Sequence, residues 1–113
     1  MWAIYDYTDF PLVNVNFNKN INSDDEFGDF LNKWKLLYEN KKNFEFIFDT
    51  KNCGYINPKY CFSMSNFIKK LKTEKEQYLK KSTIYVYHKF IWYLLKLIFA
   101  IETPVAPVYI IYI

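Results

Sequence analysis

A single α/β domain with a mixed, mostly parallel sheet is predicted by three features of the 113-residue sequence. Stretches that alternate apolar and polar residues at period two are interleaved with stretches whose apolar residues recur every three or four positions. The two kinds follow the order ββαβαβαβ, which requires crossover connections of one hand and places neighbouring strands parallel. Hydrophobic residues make up 51% of the chain and aromatic ones 22%, enough for one packed core, and no repeat or flexible linker divides residues 1–113. The first two strands, joined by a short turn, should be antiparallel and leave the N-terminal strand at an edge.

Trp2–Tyr7 and Leu12–Phe17 read as strands, the second alternating Val13, Val15 and Phe17 with Asn14 and Asn16, and Asp9–Pro11 turns the chain between them. Ser23 with Glu26 three positions later forms a capping box, and Asp24 and Asp25 place negative charge where the helix dipole favours it. The helix begun there carries Phe27, Phe30, Leu31, Trp34, Leu37 and Tyr38 as one stripe, and the polar run 40–43 ends it. Phe44–Phe48 is a short apolar strand closed by Asp49, and Thr50–Asn57 is expected to be a loop.

Asn57 followed by Pro58 starts a second, long helix whose apolar face runs from Tyr60 through Met64, Phe67, Ile68 and Leu71 to Tyr78. Its other face would carry Lys59, Lys69, Lys70, Lys80 and Lys81. Thr83–Tyr87 is the fourth strand. The run Phe90–Ile101 then forms a third helix with one charge, Lys96. Pro104 and Pro107 break it, and Val108–Ile113 is the last strand.

Composition narrows the functions. All fifteen cations are Lys, so the bidentate fork that Arg presents to phosphate is missing, and the net charge of +3 is small. The basic segment Lys69–Lys81 is interrupted by Glu74 and Glu76 at helical spacings, which describes a solvated face and argues against nucleic acid as partner. Two glycines, Gly28 and Gly54, cannot build a phosphate-cradling loop. Cys53 and Cys61 lie outside any metal-binding or redox framework and read as reduced thiols. His88, the one histidine, has no second His or nearby carboxylate, and the acids Asp24, Asp25, Glu26 and Asp29 are explained by capping. No catalytic residue, cofactor or metal is expected.

The chain opens without a basic segment leading into an apolar one and holds no N-x-[ST] sequon, which predicts an intracellular, cytoplasmic and unglycosylated protein. Abundant Lys, Asn, Ile, Phe and Tyr beside two Gly and no Arg reads as AT-rich coding, as in some large DNA viruses and protists, and is in keeping with a viral source acting in the host cytoplasm or the virion. The third helix, twelve residues long in this reading, is too short to span a bilayer.

That helix is the main functional signal. A helix apolar all round must be covered all round. On a helical wheel Ile91, Leu94, Leu95 and Ile98 face the sheet, leaving Trp92, Tyr93, Lys96 and Ala100, with Phe99 beside them, as a candidate interface. Outward aromatics around one Lys suit the centre of a protein interface or an interfacial membrane anchor. Asp49 and Thr50, after the third strand, form a second candidate site, as a phosphosite or a loop site.

The succession YTDFPLVNVNF, a capped helix, FEFIFDT, a long helix, STIYVYH, FIWYLLKLIFAI and PVYIIYI resembles the STAS/SpoIIAA-like superfamily, over nearly the whole chain. FIFD, a helix ending QYLKK, and STIYVYHKFIWYLLKLIF are similar to its Sec14-like (CRAL-TRIO) relatives. The resemblance implies a small mixed-sheet domain for protein recognition, with partner switching by phosphorylation in the first group and lipid binding in the second. In the first group the phosphorylated Ser or Thr follows the Asp of the third strand, which points to Thr50; the spacer KNCGYIN before Pro58 and the lack of small residues depart from that pattern. The expected function is a non-catalytic protein-binding or structural module acting through its third helix, toward another protein or itself as a homo-oligomer, the alternative being a lipid or membrane-surface module of Sec14-like type.

Overall fold

The computed structural model describes residues 1–21 and 23–113. Five strands and three helices follow in the order β1 (Ala3–Asp6), β2 (Leu12–Lys19), α1 (Asp24–Glu39), β3 (Phe44–Cys53), α2 (Lys59–Leu71), β4 (Leu79–Val86), α3 (Lys89–Ile101) and β5 (Val108–Tyr112). This is the ββαβαβαβ order read from the sequence. The strands form one sheet in chain order, β1 antiparallel to β2 and the other neighbours parallel.

A sheet whose parallel strands follow chain order has a consequence for its helices. Each right-handed crossover advances one place in the same direction, so each helix lands on the same face. Burial follows that layering. The register rows Val13, Phe46, Ser82, Val108 and Val15, Phe48, Ile84, Ile110 point under the helices, and all but the two β5 residues are buried. The alternate rows Asn14, Ile47, Thr83, Tyr109 and Asn16, Asp49, Tyr85, Ile111 lie on the opposite face, which no helix covers, and none of them is buried.

The core is aromatic. Trp2 lies 4.6 Å from Phe17 and edge-on to Phe30, and Trp34 of α1 lies 4.9 Å from Phe46. Phe27 stacks on Tyr60 at 4.6 Å and ties α1 to α2. Such offset and edge contacts add to the area buried by each ring. Ser23 accepts a hydrogen bond from the Glu26 backbone N–H at 3.3 Å, as the capping box requires, and Glu26 also pairs with Lys19 at 2.7 Å. Asn57 Oδ1 accepts from Lys59 N–H at 3.0 Å, but Pro58 is itself the N-cap and α2 begins at Lys59, one residue later than the Asn57–Pro58 pair suggests.

The largest boundary differences from the sequence reading are at the end of β3, at the end of α2 and at the start of β4, which was expected at Thr83 and begins at Leu79. The segment 50–57, expected to be a loop, contributes Thr50–Cys53 to β3, because β2 also runs on past a bulge and pairs Asn18 with Asn52 and Lys19 with Cys53. The second helix, expected to reach Lys81, ends at Leu71. Tyr78 falls on its apolar stripe by spacing, yet the Gln77 side chain donates to the Leu71 carbonyl at 2.7 Å and closes the helix end. Residues 79–86 form β4, so Lys80 and Lys81 belong to a strand and the expected basic helix face is shorter.

Candidate functional site

α3 seats its buried side on neighbouring backbone and side chains. Ile91 and Leu94 are buried, and Leu95 and Ile98 are half-buried, in the positions the wheel assigns. The Cys61 thiol donates to the Leu94 carbonyl at 3.8 Å, and the Ser65 hydroxyl, 3.4 Å from the Ile98 carbonyl, also donates to Cys61 O at 2.7 Å. Small polar side chains on α2 thus let the two helices approach closely.

The outward residues divide. Tyr93 is 60% exposed, and Lys96 and Ala100 are exposed, whereas Trp92 and Phe99 are half-buried. Lys96 Nζ sits 4.0 Å from the centre of the Trp92 ring and Tyr93 meets the same ring edge-on at 5.3 Å. The cation–π contact holds the Lys over the indole, shielding one face of a ring that the wheel places outward. Leu97 and Ile101, which the sequence reading left unassigned, are also exposed. Their signal was present: they follow Tyr93 at steps of four and extend its stripe. At the start of α3, Phe90 stacks on Tyr55 with ring centres 5.6 Å apart.

β5 lies at the sheet edge beside α3 in sequence, and Tyr109, Ile111, Tyr112 and the following Ile113 are all exposed. Lys81 of β4 reaches over the Tyr109 ring at 5.4 Å. An uncharged, β-branched edge strand is an unusual surface, since edges are normally guarded by charge, Pro or a covering loop. Sequence reasoning found the strand but not its position, because strand order is not written in local spacing.

The remaining candidates are dispersed. Asp49 lies half-buried on the uncovered sheet face and accepts from the Lys51 backbone N–H at 2.9 Å. Thr50, its neighbour, points the other way. It is 5% exposed and donates to the Tyr85 carbonyl at 2.7 Å, so a modifying enzyme reaches it only if β3 opens. His88 is exposed directly before α3 and makes no side-chain cap. Because the parallel strands follow chain order without a reversal, there is no switch-point crevice for Asp49 and His88 to line.

Cys53 and Cys61 are free and buried, and burial pushes both thiols up; the nearby Trp2 indole partly opposes this at Cys53. The Asp24 carboxyl is held below the ordinary range first by a hydrogen bond from Tyr60 and then by Lys59. Among the described residues no group of three His, Cys, Asp or Glu side chains could hold a metal ion.

Between sheet and helices lies an apolar cavity of about 140 Å³, bordered by Trp34, Phe48, Ile84, Ile91 and Leu94. Pockets for drug-sized ligands run to ~300 Å³ and more.

Among the described residues no helix is long and apolar enough to cross a membrane. No protein-family model matches the chain, and comparison with curated proteins and with solved structures gave no match.

Proposed function

We propose that the chain is a non-catalytic protein-association module that docks through the outward side of α3, with Tyr93, Lys96 and Ala100 at the surface and Trp92 and Phe99 half-sunk beneath them. The observation that carries this reading is that a helix with a single internal charge leaves Tyr93, Leu97 and Ile101 open to water after its sheet-facing side is filled. Tyr and Trp beside a long Lys stem are the residues that give interface centres their affinity. The resemblance to the STAS/SpoIIAA-like superfamily, whose small domains serve protein recognition, supports the same reading.

Replacing Tyr93 and Leu97 by Asp tests it, because both side chains are exposed. The variant should keep the circular dichroism of the wild type, melt lower only by the ~1 kcal/mol that two Asp cost inside a helix, and lose its association in light scattering or in pull-down of a bound partner. Association that persists unchanged in a folded Y93D/L97D variant defeats the reading.

A second reading, a lipid or membrane-surface module of Sec14-like type, is supported by the same stripe with Lys96 beside it, an arrangement that fits acyl chains below and headgroups above. An enclosed lipid site is not favoured, as the cavity of about 140 Å³ is far smaller than an acyl chain needs. Flotation with anionic liposomes separates the two readings: recovery with the vesicles supports the second.

A further inference from the structure

We infer that the occupant of the α3–β5 end is a second copy of this chain, paired antiparallel along the free edge of β5 about a two-fold axis. The inference rests on the reading of this end as an association surface and names its partner.

Backbone parity supplies the first argument. The Pro107 carbonyl accepts from Ser82 N–H at 2.9 Å, and Ile113 N–H donates to the Val86 carbonyl at 2.8 Å. Hydrogen-bonding direction alternates along a strand, so Tyr109 and Ile111 also bond inward to β4. Val108, Ile110 and Tyr112 therefore turn N–H and C=O outward to the free edge. One register satisfies all of these groups at once: Ile110 opposite the partner copy's Ile110, and Val108 opposite the partner copy's Tyr112 in both directions. The set is self-complementary, as a two-fold interface must be.

Side chains agree with that register. Tyr109 and Ile111 then form close, non-hydrogen-bonded pairs across the seam on the uncovered face, an aromatic and β-branched combination that stabilises antiparallel sheets. No charge lies between Val108 and Ile113, so nothing on the strand repels its own copy. The opposite edge of the sheet is different, since β1 spans four residues and ends in Asp6. Rotation about an axis normal to the sheet keeps both helix layers on one side of the joined sheet.

Apolar area is available on the strand itself. With ~200 Å² in a whole aromatic side chain, the exposed fractions of Tyr109 (55%) and Tyr112 (47%) leave roughly 200 Å² per copy, to which the exposed Ile111 and Ile113 add. The rest of the ~500 Å² that each side of a minimal stable interface contributes would come from the exposed stripe of α3.

Light scattering of the wild type should give a mass near twice 13.8 kDa. Ile110→Pro removes the central outward donor while leaving the β4–β5 ladder intact, as Pro is tolerated where the N–H faces an edge. It should halve the mass without changing the circular dichroism. Should I110P fail to fold, the double substitution Tyr109→Cys/Ile111→Cys serves instead. Mild oxidation should link two copies in that variant but not in Tyr109→Cys alone, whose copies sit two residues out of register. A monomeric wild type, or a folded I110P that remains dimeric, overturns the inference and leaves the α3 reading standing for a partner of other sequence. A Y93D/L97D variant that still dimerises, beside a monomeric I110P, overturns the α3 reading and upholds the β5 pairing.

Discussion

Gly28 shows how much a single position can hold in reserve. It lies inside α1, exposed, and a Cβ placed there meets nothing within 4 Å. Glycine in a helix interior costs stability through the freedom it retains when unfolded. Gly28→Ala should raise the unfolding free energy by about 0.5–1 kcal/mol, read from urea denaturation with unchanged slope. The two thiols stand at the opposite extreme. Their residue types invite thoughts of redox chemistry, but both are buried, and the sequence could not say so because a spacing of eight positions fixes neither orientation nor depth. Trp92 was legible as an outward residue by angle. That Lys96 would fold back over its ring was not, since it depends on the two rotamers.

At the scale of elements, the junction after β3 is held by a small set of polar contacts. Asn20 Oδ1 accepts from Tyr55 N–H at 2.6 Å, Gly54 N–H donates to the Lys19 carbonyl at 3.1 Å, and Ile21 N–H donates to the Tyr55 carbonyl at 3.2 Å. A Cβ on Gly54 would stand 1.9 Å from Asn20 Oδ1 and force that side chain away. Gly54→Ala should therefore cost about 1–3 kcal/mol through the lost hydrogen bond and local displacement. Adding Asn20→Gly should recover part of that loss, a non-additivity that a double-mutant cycle measures. The same junction explains why a loop was read over 50–57. Short polar residues mask a strand whose partner, the extension of β2 beyond its bulge, is supplied from elsewhere in the chain.

Over the whole molecule, one sheet, one helical layer and one bare face follow from the strand order. The layer between sheet and helices holds both cysteines, Cys53 from β3 and Cys61 from α2, so their reactivity reports opening of that layer. Alkylation of Cys53 and Cys61 in the native protein should be slower than in urea by a factor on the order of 10³ or more, since it awaits that opening. Their protonation carries a sign as well. Burial raises both thiols above the free value of 9.0, so the stability they contribute is full below that pH and is lost as pH rises beyond it. Melting temperature should fall on the alkaline side, and a Cys53→Ala/Cys61→Ala variant should show a smaller fall.

Local spacing, capping residues and prolines determined the kind and order of all eight elements, because helix and strand periods are properties of neighbouring residues. They also marked α3 as too apolar for an ordinary surface helix. Tertiary structure alone decided where the strands stop, which side of the sheet is bare, and that β5 is an edge. Those features depend on pairing between segments far apart in the chain, and a strand's own residues carry no record of whether one neighbour or two will bond to it.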